Sequence, residues 1–234
     1  WQDSRLTHRT GAVGYTGHDA AIKETARLTN ERLELSEEAI AQLNEKINII
    51  RNNIGIEQNK EESPMDFEKL SAARYSLRKF DTRPVEREKL DLILEAGRNA
   101  PTAHNKQPQR IFVLQSAEAL EKADACMGCH FHPPVIIAVG YDPAVSWHRE
   151  TDGKDHGEID ATIAATQMML QAADLGLGTT YVGIFEPEKM LAAFPEMAGV
   201  QLTALLPLGY PAEGAHPAKL HAQREPMEKL VKYL

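Results

Sequence analysis

The chain has 234 residues, 42% apolar and 26% charged, which is enough to build the core of one sizeable domain or of one domain with an appendage. A net charge of −8 argues against a general binder of nucleic acid or anionic membrane, yet leaves room for a local basic pocket that holds a phosphate. Its 15 glycines and 13 prolines exclude collagen-like and low-complexity chains, its 2 cysteines exclude a disulfide framework, and no apolar run approaches the ~18–20 residues that cross a bilayer.

At the start, Trp1–Thr10 has no apolar core and no small-residue cleavage site, so no secretory signal is expected and a cytoplasmic protein is the default. Residues 19–54 are polar with a narrow apolar stripe running from Ile22 to Ile54 in alternating steps of four and three. This heptad seam is strongest at Ile40, Leu43, Ile47, Ile50 and Ile54. Gly55 stands where a helix cap would, and residues 57–64 read as a linker. A coiled-coil or dimer-wrapping helix, a helix lying on the main domain, and a fusion segment all fit residues 1–64. The last is open because Met65-Asp-Phe-Glu-Lys-Leu looks like a natural start. In each case residues 1–64 are an extension, and residues 65–234 are the domain that carries the chemistry.

From Met65 onward helices and strands alternate. The pattern predicts helices over 66–74, 85–97 and 117–125, a strand over 110–115, and a buried strand over 135–140. A long Ala- and Met-rich helix follows over 158–175, apolar most of the way round and therefore buried on several sides. Strands are predicted over 179–184 and 202–208, with a helix between them that opens on Pro187. The layout is helices flanking a mixed sheet, with no internal repeats.

Three segments could carry chemistry. Arg74-Tyr75-Ser76-Leu77-Arg78 sets two guanidinium forks and a hydroxyl close together, a pairing suited to phosphate and equally found on a solvated helix end. The run from Ala100 to Pro108 brackets Thr102, His104, Asn105 and Gln107 between prolines, giving a stiff loop of hydrogen-bonding groups or an ordinary connection. The glycines of Asp174-Leu-Gly-Leu-Gly-Thr-Thr-Tyr-Val-Gly183 follow a helix and precede a strand, the reverse of the dinucleotide fingerprint, so they read as a cap and a turn. Gly183, at a strand end, would let a flat ligand approach the backbone.

Taken in order, Arg74-x-Ser76-x-Arg78-x-Phe80, Ala100-Pro101-Thr102-x-x-Asn105-x-Gln107-Pro108, Asp160-Ala-x-Ile163 with Leu175-Gly-Leu-Gly-Thr179, Leu208-Gly-Tyr-Pro211 and Arg224-x-Pro226 resemble the nitroreductase family of flavin enzymes. The resemblance covers residues 65–234. It implies an α+β fold, a homodimer with FMN at the subunit interface, and hydride transfer from NAD(P)H through the flavin to an oxidant. By the same resemblance Arg74, Tyr75, Ser76 and Arg78 hold the phosphate, the ribityl chain and the pyrimidine side of the ring, and Arg224 is a further phosphate contact. Pro101, Thr102 and Asn105 form the loop given by the second subunit, while Val182 and Gly183 face the ring's N5 edge. Two positions depart from the family pattern. Gln109 replaces an aromatic residue, and Ala222 replaces the first cation of a Lys-x-Arg pair, so Lys219 or His221 could share the phosphate. No catalytic side chain is expected, because the flavin does the chemistry.

Two motifs stand apart. Trp147 and His148, in the polar stretch 141–157, either line a lid over the flavin or belong to a surface loop. Cys126-Met-Gly-Cys129-His130-Phe-His132 matches a haem-attachment pattern, a metal site built on Cys126, Cys129 and His130 or His132, or a reversible dithiol; inert thiols before a buried strand are the favoured reading. The expected function is reduction of a nitroaromatic, quinone or similar flat acceptor, without nucleic-acid or membrane partners. A reductive dehalogenase or specific metabolite reductase on the same fold, a flavin binder without turnover, and a Cys-x-x-Cys redox or metal module are the alternatives.

Overall fold

The computed structural model describes residues 66–234, preceded by three isolated helical positions, Ala39, Gln42 and Lys46. The readings placed on residues 1–64 lie outside the described residues. In chain order the described elements are α1 (Phe67–Ala73), α2 (Arg87–Arg98), a 3-10 turn (Ala103–Asn105), β1 (Gln109–Leu114), α3 (Ala117–Asp124), β2 (Val135–Tyr141), α4 (Gly157–Asp174), β3 (Gly178–Thr179), α5 (Pro187–Ala193), a 3-10 turn (Pro195–Met197), β4 (Gln201–Gly209) and α6 (Met227–Leu230). Local chemistry starts several of them. The Asp66 carboxylate accepts the Glu68 N–H at the head of α1, the Ser116 hydroxyl accepts the Ala119 N–H at the head of α3, and Pro187 opens α5.

The four strands lie in the order β1-β2-β4-β3, and every neighbouring pair is antiparallel. A parallel bridge between Ser76 and Thr179 supplies the mixed character outside the named strands. Every residue of β2 is buried, which is why its sequence is a continuous apolar run rather than an alternating one. On one face Ile137, Val139, Leu206 and Leu208 pack with Ile93 of α2 and Met168 of α4. On the other, Ile136, Ala138 and Leu205 pack with Met190 and Met197 beside α5. The register shifts between Val139 and Gly140, and a Cβ on Gly140 would lie 2.4 Å from the Gln201 carbonyl oxygen, so only glycine fits that crossing. No helix among the described residues is long and apolar enough to cross a membrane.

The strand predicted over 179–184 is broken. After Thr179 pairs with Leu208, Thr180 and Tyr181 leave the ladder, and pairing returns at Val182 with Leu205. The cause lies in β4. Val182 and Leu205 exchange both N–H···O bonds, at 2.9 and 3.0 Å, so Leu205 turns its amide toward this segment. Pro207, two residues on, faces the same way and has no N–H to give. The missing bond falls opposite Thr180.

Candidate functional site

The Arg74–Phe80 segment leaves α1 and runs beside β3. Arg74 caps α1, its N–H donating to the Leu70 carbonyl at 2.9 Å, and the Leu77 N–H donates to the Thr179 carbonyl at 2.9 Å. Arg74 is half-buried, and its Nη1 is enclosed with no hydrogen-bond partner. The Thr179 hydroxyl is enclosed and unpartnered as well. Both residues line a cavity of about 140 Å³ between the end of α1 and the turn from α4 to β3. Two polar groups left unsatisfied in one place mark a site built for something more than packing.

Arg78 is exposed, and its Nη1 donates to the Ser76 carbonyl at 3.2 Å. Ser76, Arg78, Lys79 and His216 line a second hollow of about 250 Å³, so the positive charge of this edge is concentrated where the rest of the chain is acidic. Tyr75 meets His221 edge-on, with ring centroids 6.3 Å apart, which brings the C-terminal segment to this side. There Arg224 donates from Nη1 to the carbonyls of His221 and Gln223, so its guanidinium braces its own turn. Of the two suggested substitutes for the missing cation, His221 is thus drawn to Tyr75, while Lys219 is exposed. Thr179 was not singled out by sequence reasoning. Its signal was the Gly178 before it, which lies so close to Leu77 that a Cβ would come within 2.4 Å of Cδ2.

Pro101, Thr102 and Asn105 lie on the connection from α2 to β1. The Thr102 hydroxyl accepts the Gln107 N–H and the Thr102 carbonyl accepts the Asn105 N–H, both at 3.0 Å. His104, Asn105 and Gln107 have positive φ, near 50° in each case. Trp147 is half-buried between two rings of this neighbourhood. It stacks on His104 at 5.0 Å and meets His156 edge-on at 4.7 Å, so its ring lies against this loop. His148 is exposed, with Nε2 3.8 Å from the Asp155 carboxylate.

Val182 is buried and fixed to β4, whereas Gly183 is exposed and a Cβ on it would meet nothing. Packing therefore does not explain the glycine. The next residues pair with the cysteine loop: Gly128 N–H donates to the Ile184 carbonyl at 3.0 Å, and Glu186 N–H to the Cys126 carbonyl at 2.9 Å. Burial pushes both thiols above their ordinary pKa, with Asp124 adding to the effect at Cys129 and Arg78 opposing it. The Cys126 thiol donates to the Lys122 carbonyl at 3.2 Å, and His130 pairs through Nδ1 with Asp124 at 2.8 Å. Among the described residues no three His, Cys, Asp or Glu side chains are placed to share a metal ion.

The comparisons with known proteins converge on one family. The model of the nitroreductase family matches residues 72–132 and 129–210. A protein of Methanothermobacter thermautotrophicus, assigned by name as an NADH dehydrogenase/NAD(P)H nitroreductase, is 31% identical over 170 residues, covering 64% of this chain and 80% of that one. A crystal structure of a nitroreductase family protein from Clostridium difficile superposes with a TM-score of 0.68 at 35% identity, over 72% of this chain and 98% of that one. A protein of Exiguobacterium sibiricum, solved in complex with FMN, shares the fold at a TM-score of 0.63 and 21% identity, over 73% and 98% of the two chains. The α+β fold, the order of the motifs and these matches agree, and the chain belongs to the nitroreductase family of oxidoreductases.

Proposed function

We propose that this NAD(P)H-dependent oxidoreductase works as a cytoplasmic homodimer, holds FMN along the Arg74–Arg78 edge, and reduces a nitroaromatic, quinone or similar flat, electron-poor acceptor. The observation that carries the reading is the enclosed, unpartnered Nη1 of Arg74, a charged donor waiting for an acceptor beside the equally unpartnered Thr179 hydroxyl. In this reading a phosphate accepts from Arg74 in the cavity that Arg74 and Thr179 line, and the residues present fit that end of FMN. Bound FMN supplies a ring that takes a hydride from the nicotinamide and gives it up to the acceptor.

The chain's own residues hold and bias that ring. Arg74, assisted by Ser76 and by Arg224 on the C-terminal turn, anchors the phosphate end. Arg78 places positive charge where reduction of the ring develops negative charge, which favours the reduced state. Tyr75 keeps the C-terminal turn over the cradle through His221. Val182 is locked to β4, and Gly183 beside it offers backbone without a side chain to keep a flat ring away. Pro101, Thr102 and Asn105 close the site from the second subunit. No side chain has to act as acid or base. The Cys126–Cys129 loop is not the redox centre in this reading; burial raises both thiols above their ordinary pKa, which disfavours the reactive thiolate.

Reconstitution tests the proposal. Protein loaded with FMN is expected to be yellow, to bleach on addition of NADH or NADPH without oxygen, and to regain its colour with a nitroaromatic or a quinone. Protein that takes up no FMN would sink it, and bleaching that no acceptor reverses would leave a flavin binder without turnover.

A further inference from the structure

The connection from α2 to β1 is held more firmly than a connection requires. Within four positions, His104, Asn105 and Gln107 adopt φ of 51°, 53° and 50°, and none of them is glycine. Such backbone persists only where the surroundings over-determine it. From below, Arg110 Nη1 donates to the carbonyls of Gln107, Pro108 and Gln109 at 3.1–3.3 Å, while its Nη2 bonds the Asp142 carboxylate at 3.0 Å. Trp147 covers His104. From α4, Asp160 reaches in: its Oδ1 accepts the Ala103 N–H at 3.0 Å.

Asp160 is out of place by every packing criterion. It is 2% exposed, its neighbours on α4 include the fully buried Ala161, Ala164 and Ala165, and its Oδ2 is enclosed without a partner. One turn earlier, His156 Nε2 is also enclosed and unpartnered. A buried carboxylate with half of its accepting capacity unused is costly, and helix packing gives it no return. What it does provide is an acceptor for the first backbone N–H of the strained turn.

The geometry points to Asp160 as a positioning residue of the cofactor loop: through Ala103 it fixes the turn that presents Thr102 and Asn105 to the flavin of the partner subunit. This rests on the reading above that Thr102 and Asn105 meet the flavin. The proposed action of Asp160 runs through the Ala103 N–H.

The test is made on the full chain in a Trp1→Phe background, so that Trp147 is the sole tryptophan and its emission reports the His104 stack. FMN affinity is read from quenching of flavin fluorescence. Asp160→Ala is expected to weaken FMN binding about 10- to 100-fold, the size of one lost hydrogen bond that leaves a buried N–H unsatisfied, and to shift Trp147 emission to the red in the apoprotein. Asp160→Asn keeps an acceptor for Ala103 and is expected to recover affinity to within about threefold and to restore the emission. Ala103→Pro removes the donor from the other end, after a Thr102 already in the extended backbone (φ −131°, ψ 154°) that a pre-proline residue prefers. It should reproduce the Asp160→Ala effect even if that variant does not fold. Native affinity and emission in Asp160→Ala overturn the inference, as do equal losses in the Ala and Asn variants, which would make charge rather than the Ala103 bond the cause. If Asn105→Ala weakens FMN and Asp160→Ala does not, the inference alone fails. If neither weakens it, the reading of the loop as a flavin contact fails first.

Discussion

The two stretches proposed to meet the flavin are built on opposite principles. The Arg74–Phe80 edge is under-satisfied: Arg74 Nη1 and the Thr179 hydroxyl have no partner, and both residues line one cavity. The loop from Thr102 to Pro108 is over-satisfied, with its turn, its carbonyls and its one aromatic ring each held by a group from another element. The difference separates two tasks. Unspent hydrogen bonds favour whatever ligand completes them, so the first stretch supplies affinity. A strained turn with every support in place has one conformation to offer, so the second supplies orientation and pays for it in stability.

The largest expected effect comes from reversing the charge on the under-satisfied side. Arg74→Glu should weaken FMN retention by more than about 100-fold, because a carboxylate would face the phosphate in place of a charged donor. Retention equal to wild type would show that the cradle is not where affinity resides. On the over-satisfied side, Arg110→Ala releases three carbonyls and leaves Asp142 without its ion pair; apoprotein stability should fall by about 1–2 kcal/mol in denaturant titration, with only a small loss of FMN affinity. A collapse of affinity with unchanged stability would reverse the assignment of tasks.

Thr179→Val is subtler, and its sign is the informative part. Removing an unpartnered buried hydroxyl should leave the apoprotein as stable or up to about 1 kcal/mol more stable, while FMN binding weakens several-fold. The smallest effect concerns acid. The Tyr210 hydroxyl donates to the Glu86 carboxylate at 2.5 Å and holds its pKa below the usual value, helped by Lys89 and Arg83. A depressed carboxylate pKa stabilises the fold above the ordinary Glu value, and that stabilisation is lost as pH falls below about 4.3 and through the lowered value. Tyr210→Phe should therefore flatten the stability–pH curve in that acid window by less than about 1 kcal/mol, since the Glu86 side chain is 45% exposed.

What the amino-acid order discloses depends on how local the cause is. The β2 run and the long Ala-Met helix were readable to within a residue or two, because burial on both sides writes itself into a continuous apolar sequence. Arg74, Ser76 and Arg78 stand close in sequence, yet the fold divides them between two hollows, Arg74 on one and Ser76 and Arg78 on the other. The break at Thr180 was not readable, since its cause is a proline some 27 positions away that becomes a neighbour only when β4 pairs. The same holds for the strained turn. His104 and Asn105 tolerate left-handed backbone better than most residues, but Gln107 does not share that tendency, and Asp160 and Trp147, which contact the turn, lie far along the chain. Asp160 did leave a trace, as an acid inside a helix expected to be buried nearly all round. The α6 turn near the C-terminus, Met227–Leu230, left none.

The gap opposite Pro207 also has a meaning in time. β2 is paired on both sides, to β1 and to β4, with one register shift at Val139–Gly140, and its amides should exchange with solvent deuterium only on global unfolding. Thr180 and Tyr181 have no ladder partner, and Gly183 is exposed, so this stretch can exchange through local fluctuation while the sheet beside it stays closed. Rigidity and give thus meet within three residues of Val182. A flat ring approaching Gly183 would find a wall that yields slightly without loosening anything behind it.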